Sequence, residues 1–341
     1  MINLSRIPLA SPDVHAVPSD PGTRWIKDEI PVIEAPPDDD TDPLPEASWP
    51  VDAKRTGICG AVAPRVIQLP DRSYRMYYTQ MVPRPGYPAG ANDYDNVSTR
   101  ILSASSSDGL TFTPEPGVRL SPQTGGAGEG RVVSSEVVPT TDGQLRMYYE
   151  CAPGSQSEPN TIRSAISEDG LSWEVETGTR LSSENANYMS ARILFLQDGR
   201  CRLYCGQRGR GIISALSDDG LTFQEEEGTR VAAGGTYDTF TAFACEILEV
   251  VADSYVMYYS GYSASNRAQI LRATSEDGLL WQKEDDPVIS PGDRLDRAKS
   301  SEMCIYRLPS GQNYRIVYEA CDGTAENERG VWRIAGATSQ A

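Results

Sequence analysis

Arg65, Glu136, Arg192 and Glu246 each stand nine residues before a related segment, at Tyr74, Leu145, Cys201 and Tyr255. A fifth such segment begins at Tyr314, and Ser300-Ser301-Glu302 upstream of it copies Ser134-Ser135-Glu136, which adds Glu302 to the set. Three carboxyls beside two guanidiniums can divide protons unequally, leaving one carboxyl protonated and another ionised. That division is what acid–base and glycosidic chemistry require. Glu136 and Glu302 are the expected acid/base or nucleophile pair, with Glu246 supporting. Arg65 and Arg192 would bind an anionic group such as a carboxylate or phosphate. The same charges could instead pair with one another and tie the repeats together, because buried charges need partners.

Other chemistry has little to draw on. The chain has one histidine, His15, so a Ser-His-Asp site or a histidine-bound metal is not expected. Asp38-Asp39-Asp40 lies in a Pro-rich stretch and reads as solvated. No Gly-rich loop opens a helix after a strand, so no nucleotide cofactor is expected, and no metal or other cofactor either. Candidate substrate-binding residues flank the ring of charges: Asp95 in a long loop, Glu150 and Glu319 directly after their aromatic segments, and Tyr188, Tyr237 and Asp238 just before apolar ones. Aromatics at such a rim suit the faces of sugar rings.

A repeat positions these residues. Ser, any residue, Asp-Gly-Leu, any residue, aromatic occurs at 106–112, 167–173, 217–223 and 275–281. Each copy follows an apolar strand, a turn, an aromatic-rich strand and a small-residue strand, and leads into a fourth strand that carries the aromatic. Repeats of this length and content predict the blades of a β-propeller, whose chemistry gathers in the axial funnel. The aromatic-rich strand occurs five times but the Asp-Gly phrase only four. Ser19-Asp20-Pro21-Gly22-Thr23-Arg24-Trp25 is an imperfect copy, and Trp25–Ile33 parallels Trp281–Ile289. The expectation is an all-β, five-bladed propeller in one domain, closed by an N-terminal strand that completes the last blade. Residues 19–33 would form that outer strand and 34–58 a Pro/Asp-rich loop. The blades would run over about 59–120, 121–181, 182–231, 232–290 and 291–339.

Composition sets the outer bounds. A net charge of −17 argues against nucleic acid or an anionic membrane as partner. No apolar run has signal or membrane-spanning length. The seven cysteines show no metal spacing and read as core residues, so the expected location is the cytoplasm.

With Tyr74-Arg75-Met76-Tyr77-Tyr78 and Ser167-Glu168-Asp169-Gly170-Leu171-Ser172-Trp173 in view, the chain resembles the five-bladed glycosidase propellers of glycoside hydrolase families 43, 32, 68 and 130 from about residue 19 onward. The phrase also resembles a shortened sialidase Asp-box. The resemblance implies acidic residues at the inner strands of the first three blades. Glu136 matches the second, but Arg65 and Arg192 stand at the first and third. It implies a carbohydrate-active enzyme, a glycoside hydrolase or transglycosidase, acting on a sugar or sugar-like small molecule. A lyase, isomerase or cyclase on the same scaffold is the alternative, and a non-catalytic sugar-binding propeller the third reading.

Overall fold

The computed structural model describes residues 19–34, 59–83, 97–128, 130–154, 158–251, 254–309, 311, 313–323 and 331–340. Among them every regular element is a strand. In chain order these are β1 (Trp25–Lys27), β2 (Cys59–Gln68), β3 (Tyr74–Pro83), β4 (Val97–Ser106), β5 (Thr113–Pro114), β6 (Arg131–Pro139), β7 (Leu145–Ala152), β8 (Thr161–Ser167), β9 (Glu174–Val175) and β10 (Tyr188–Phe195). They continue with β11 (Cys201–Gln207), β12 (Gly211–Ser217), β13 (Gln224–Glu225), β14 (Thr241–Val251), β15 (Ser254–Ala264), β16 (Arg267–Ser275), β17 (Gln282–Lys283), β18 (Lys299–Arg307), β19 (Tyr314–Cys321) and β20 (Val331–Ser339).

Antiparallel pairing joins β2 to β5, β6 to β9, β10 to β13 and β14 to β17 in consecutive runs of four. The run β18-β19-β20 takes its fourth strand from the N-terminal segment, with Trp25, Ile26 and Lys27 of β1 opposite Ser339, Thr338 and Ala337. Short parallel pairings, one residue pair at β16–β18 and two at β2–β20, merge three runs into one twelve-stranded sheet, and the other two stand as separate four-stranded sheets. The aromatic of each repeated phrase falls just before the short outer strand, not on it: Phe112 precedes β5 and Trp281 precedes β17.

The phrase makes a turn whose chemistry explains its residues. Asp169 Oδ1 accepts from Leu171 N and Ser172 N at 2.7 Å each, and Ser167 Oγ accepts from Gly170 N at 2.8 Å. Those amide bonds hold the Asp169 carboxyl down at about 2. Gly170 has φ +71°, and a Cβ there would lie 2.6 Å from Tyr77 Oη, so only glycine fits. Tyr77 comes from the preceding run and donates to Gly170 O at 2.9 Å. Tyr148 does the same to Gly220, Tyr204 to Gly278, Tyr258 to Gly22 and Tyr306 to Gly109. The tyrosine bodies pack edge-on against Trp173, Phe223 and Trp281 of those turns. Burying each ring contributes on the order of 2 kcal/mol.

The core therefore lies between consecutive runs. One buried cluster joins Tyr77 and Ile101 to Val132, Val137 and Met147. Another joins Cys304, Val317 and Ile334 of the last run to Val66, Tyr74 and Met76 of the first. The six described cysteines are all buried and unbridged. No helix long and apolar enough to cross a membrane occurs among the described residues.

Candidate functional site

The first strand of each run carries a register shift close to its charged residue: Val62/Arg65, Val133/Glu136, Met189/Arg192, Phe243/Cys245 and Ser301/Met303. Ala63, Ser134, Ser190 and Ala244 sit in these bulges at φ of 46–53°, a left-handed conformation that non-glycine residues rarely adopt. A bulge re-aims the side chains on either side of it, so it sets which residues reach the axis and at what depth.

Two residues past the bulge, Arg65, Glu136, Arg192 and Glu246 meet in a sealed cluster. Arg65 Nε lies 2.8 Å from Glu136 Oε2, and Arg65 Nη1 donates to Glu246 at 2.8 and 3.0 Å. Arg192 Nε stands 3.6 Å from Glu246 and 3.9 Å from Glu136. Glu136 also accepts from Ile193 N at 3.2 Å. All four residues are buried. Burial pushes the Glu136 carboxyl up to about 7 against the pull of Arg65 and Arg192, while the carboxylates raise both guanidiniums.

Glu302 does not belong to that row, which corrects the alignment drawn from the Ser-Ser-Glu copy. Arg65, Glu136, Arg192 and Glu246 face Tyr77, Tyr148, Tyr204 and Tyr258. The equivalent position on β19 is Val317, and its partner is Cys304. The β18–β19 turn is one residue longer than those of the first three runs, so the row stands ten rather than nine residues before Tyr314, at Cys304, two beyond Glu302. Cys304 Sγ fills the row, 3.6 Å from Arg65 Nη1 and accepting from Val66 N at 3.3 Å. Glu302 falls on the bulge itself, in the place of Ala244.

That shift carries Glu302 into a cavity of about 490 Å³. Glu302, Glu319 and Glu150 all line it, whereas the lining excludes Arg65, Glu136, Arg192 and Glu246. Glu302 is buried; its backbone N donates to Ser260 Oγ at 2.8 Å, and its Oε1 has no hydrogen-bond partner among the described residues. That oxygen stands 3.9 Å from Arg192 Nη2, which links the cavity floor to the cluster below. Glu319 accepts from Ser301 Oγ at 2.6 Å and from Ala63 N at 3.4 Å. Glu150 accepts from Asn160 Nδ2 at 2.7 Å.

Burial raises all three carboxyls. Glu319 is pushed up to about 8 by burial and by the neighbouring Glu302 carboxyl. Glu150 is pushed up to about 7 by burial, against the pull of Arg131. Glu302 is raised by burial, while Arg192 and the hydroxyls of Ser190 and Ser134 favour its ionised form. Burial raises both members of the Glu302–Glu319 pair, and the two titrate together.

These raised values make stability fall with pH. A carboxyl higher in the folded than in the unfolded protein binds more protons when folded, so its contribution is complete below about 4.5 and is lost as pH rises through 7 to 8. Asp169, held down at about 2, acts oppositely and only in acid. Thermal melts at constant ionic strength are expected to drop between pH 5 and 9, and Glu319→Gln to flatten that drop. A slope identical in wild type and variant would contradict the assignment.

The remaining expected residues go elsewhere. Tyr188 is buried and donates to Glu225 Oε2 at 3.1 Å. Asp238 is buried and pins Gly235 N, Tyr259 Oη and Lys283 Nζ. Tyr237 packs beside the core between β11 and β15. Asp95 and His15 lie outside the described residues. The sequence reading missed Arg131, Lys299 and Arg208, which bring positive charge to the cavity, and Asn160, Asn187, Phe240, Phe243, Tyr262 and Trp332. Their only sequence signal is position beside a strand end. No group of His, Cys, Asp and Glu suited to a metal ion occurs among the described residues.

No protein-family model matches the sequence. No curated protein matches it either. Solved structures do match. A glycosyl hydrolase from Bacteroides ovatus is 15% identical with a TM-score of 0.67, covering 95% of this chain and 96% of that one. A thermostable family-43 glycoside hydrolase is 16% identical with a TM-score of 0.62, covering 84% and 91%. A structure from glycoside hydrolase family 130 is 15% identical with a TM-score of 0.65, covering 92% and 93%. That family of mannoside phosphorylases contains glycoside hydrolases that target β-1,2-mannosidic linkages in Candida mannan. The chain shares the β-propeller fold of these solved glycoside hydrolases.

Proposed function

We propose that the protein is a carbohydrate-active enzyme that cleaves or transfers a glycosidic bond in this cavity. Glu319 is the general acid, Glu302 the base or nucleophile, and Glu150 the third carboxyl. The observation that carries the reading is the Glu302–Glu319 pair: two buried carboxyls on one cavity floor, one beside a guanidinium and the other pushed up to about 8. Glu136 and Glu246 hold Arg65 and Arg192 in place beneath. An anionic group on the sugar, such as a uronate carboxylate, would meet Arg131, Lys299 and Arg208. The solved structures of like fold are glycoside hydrolases, one of them from a family of mannoside phosphorylases, which supports a sugar substrate.

The test is a panel of neutral and acidic oligosaccharides and 4-nitrophenyl glycosides, incubated in ¹⁸O-water with and without inorganic phosphate. A cleaved sugar carrying ¹⁸O or phosphate supports the reading. A glycosyl unit moved onto a second sugar, carrying neither label, supports transfer; cleavage or rearrangement with neither label nor transfer supports a lyase, isomerase or cyclase on the same carboxyls. Binding without turnover, surviving loss of all three carboxyls, would leave only the sugar-binding reading.

The same proposal includes the architecture: five blades closed into a ring by β1. Its support is the cyclic order of the tyrosine-to-glycine bonds, the buried cluster between last and first runs, and the match of Ile33↔Ile334 to Ile101↔Leu120, Ile162↔Leu181, Ile212↔Val231 and Ile270↔Ile289. A chain beginning at Pro31 loses the Asp28 partner of buried Arg315 and the Gly22 acceptor of Tyr258. It is expected to lose about 3–5 kcal/mol of stability. An unchanged denaturation midpoint would overturn closure.

A further inference from the structure

Among the exposed large apolar side chains, Phe240 stands apart. It is 65% exposed, and among the described residues it is the one of that group that lines the cavity; Ile26 and Ile30 belong to the N-terminal segment, and Leu110 and Leu280 to repeated turns. Its backbone is anchored: Phe240 N donates to Tyr262 O at 2.8 Å just before β14 begins. Behind it, Phe243 and Tyr262 pack with ring centroids 5.4 Å apart, and both line the same cavity. Tyr262 Oη lies 3.5 Å from Ser301 Oγ, the hydroxyl that bonds Glu319. An aromatic surface thus leads from the solvent-exposed rim to the carboxyl pair.

A solvent-exposed phenyl ring at a cavity mouth is unfavourable in the free protein, and covering it with a flat apolar face removes that cost. We propose that Phe240, backed by Phe243 and Tyr262, is the specificity platform that stacks against a flat apolar face of the substrate. This rests on the glycosidic reading of the cavity. Two sources share the chemistry: the CH face of a pyranose ring, and an aryl group on the leaving side. Phe240 offers no polar atom and would act on binding, whereas Glu302 and Glu319 would act on the bond.

The test is calorimetric titration of wild type, Phe240→Ala and Phe240→Trp with matched methyl and 4-nitrophenyl glycosides of neutral and acidic sugars. Phe240→Ala is expected to weaken the best ligand at least 10-fold, while Phe240→Trp stays within about 3-fold. A loss shared by methyl and nitrophenyl members assigns the platform to the sugar; a loss confined to nitrophenyl members assigns it to the aglycone. Wild-type affinity in Phe240→Ala, or a wild type that binds no member of the panel, overturns the platform. Failure of the acid–base reading shows separately, as full turnover in Glu302→Gln whatever Phe240→Ala does.

Discussion

Glu319→Gln is expected to lower kcat on unactivated oligosaccharides by about 10²–10⁴-fold, the range for removing a general acid. The amide keeps the shape and can still accept from Ser301 Oγ, so the floor of the cavity is preserved while the transferable proton is lost. A 4-nitrophenyl leaving group needs little protonation, so the same variant is expected to recover most of its rate on nitrophenyl glycosides. Glu302→Gln is expected to lose activity on both substrate types, because it removes the base or nucleophile. In the wild type the alkaline limb of kcat/KM should fall near pH 8, where Glu319 gives up its proton, and that limb should vanish in Glu319→Gln. Steady-state kinetics over pH 5–9 check all three. Equal rates for Glu319→Gln and wild type on an oligosaccharide would remove Glu319 from the mechanism.

The second large effect concerns stability. Arg65→Met is expected to cost about 3–5 kcal/mol at pH 8, the penalty for stranding buried charge. Arg65 holds Glu136 and Glu246 together at 2.8 Å each, and only Arg192, at 3.6 Å and beyond, would remain for both. Methionine fills much of the volume, so the loss reports charge more than cavity. The loss should shrink at pH 5, where Glu136, already raised by burial, takes up a proton. Glu136→Gln should cost less, since two guanidiniums then face Glu246 and Glu302, and the amide can still accept from Ile193 N. Chemical denaturation at the two pH values measures this. Wild-type stability in Arg65→Met together with lost ligand affinity would return Arg65 to the substrate-binding role first assigned to it.

The strand pattern was legible because the repeat states it four times, each with the same hydrogen-bonding logic of Ser, Asp and Gly. The N-terminal segment was legible for the same reason: Trp25–Ile33 had a template in Trp281–Ile289, and β1 does pair with β20. The site was legible only in outline. Counting back nine residues found Arg65, Glu136, Arg192 and Glu246 as a set, because their turns have equal length. It could not show that they close on one another. Glu302 was placed one row too deep because the Ser-Ser-Glu copy is local, while register is set by the turn and the bulge. Glu150 and Glu319 were found by their place after the aromatic strand. Phe240, Arg131 and Lys299 were not, since a cavity wall assembled from several strands has no contiguous signature.

The bond between β1 and β20 has a consequence for how the molecule is made. It joins Trp25 to Ser339, so a ribosome delivers one partner long before the other. At ~5–20 residues per second the interval is roughly 15–60 s. Through that time Trp25-Ile26-Lys27 is a strand without a sheet. Arg24, Lys27, Asp28 and Glu29 surround its two hydrophobic residues, and charge of that kind keeps a waiting strand from zipping onto a neighbouring nascent chain. The later of the two partners, not the earlier, then decides when Trp25–Lys27 find their permanent place.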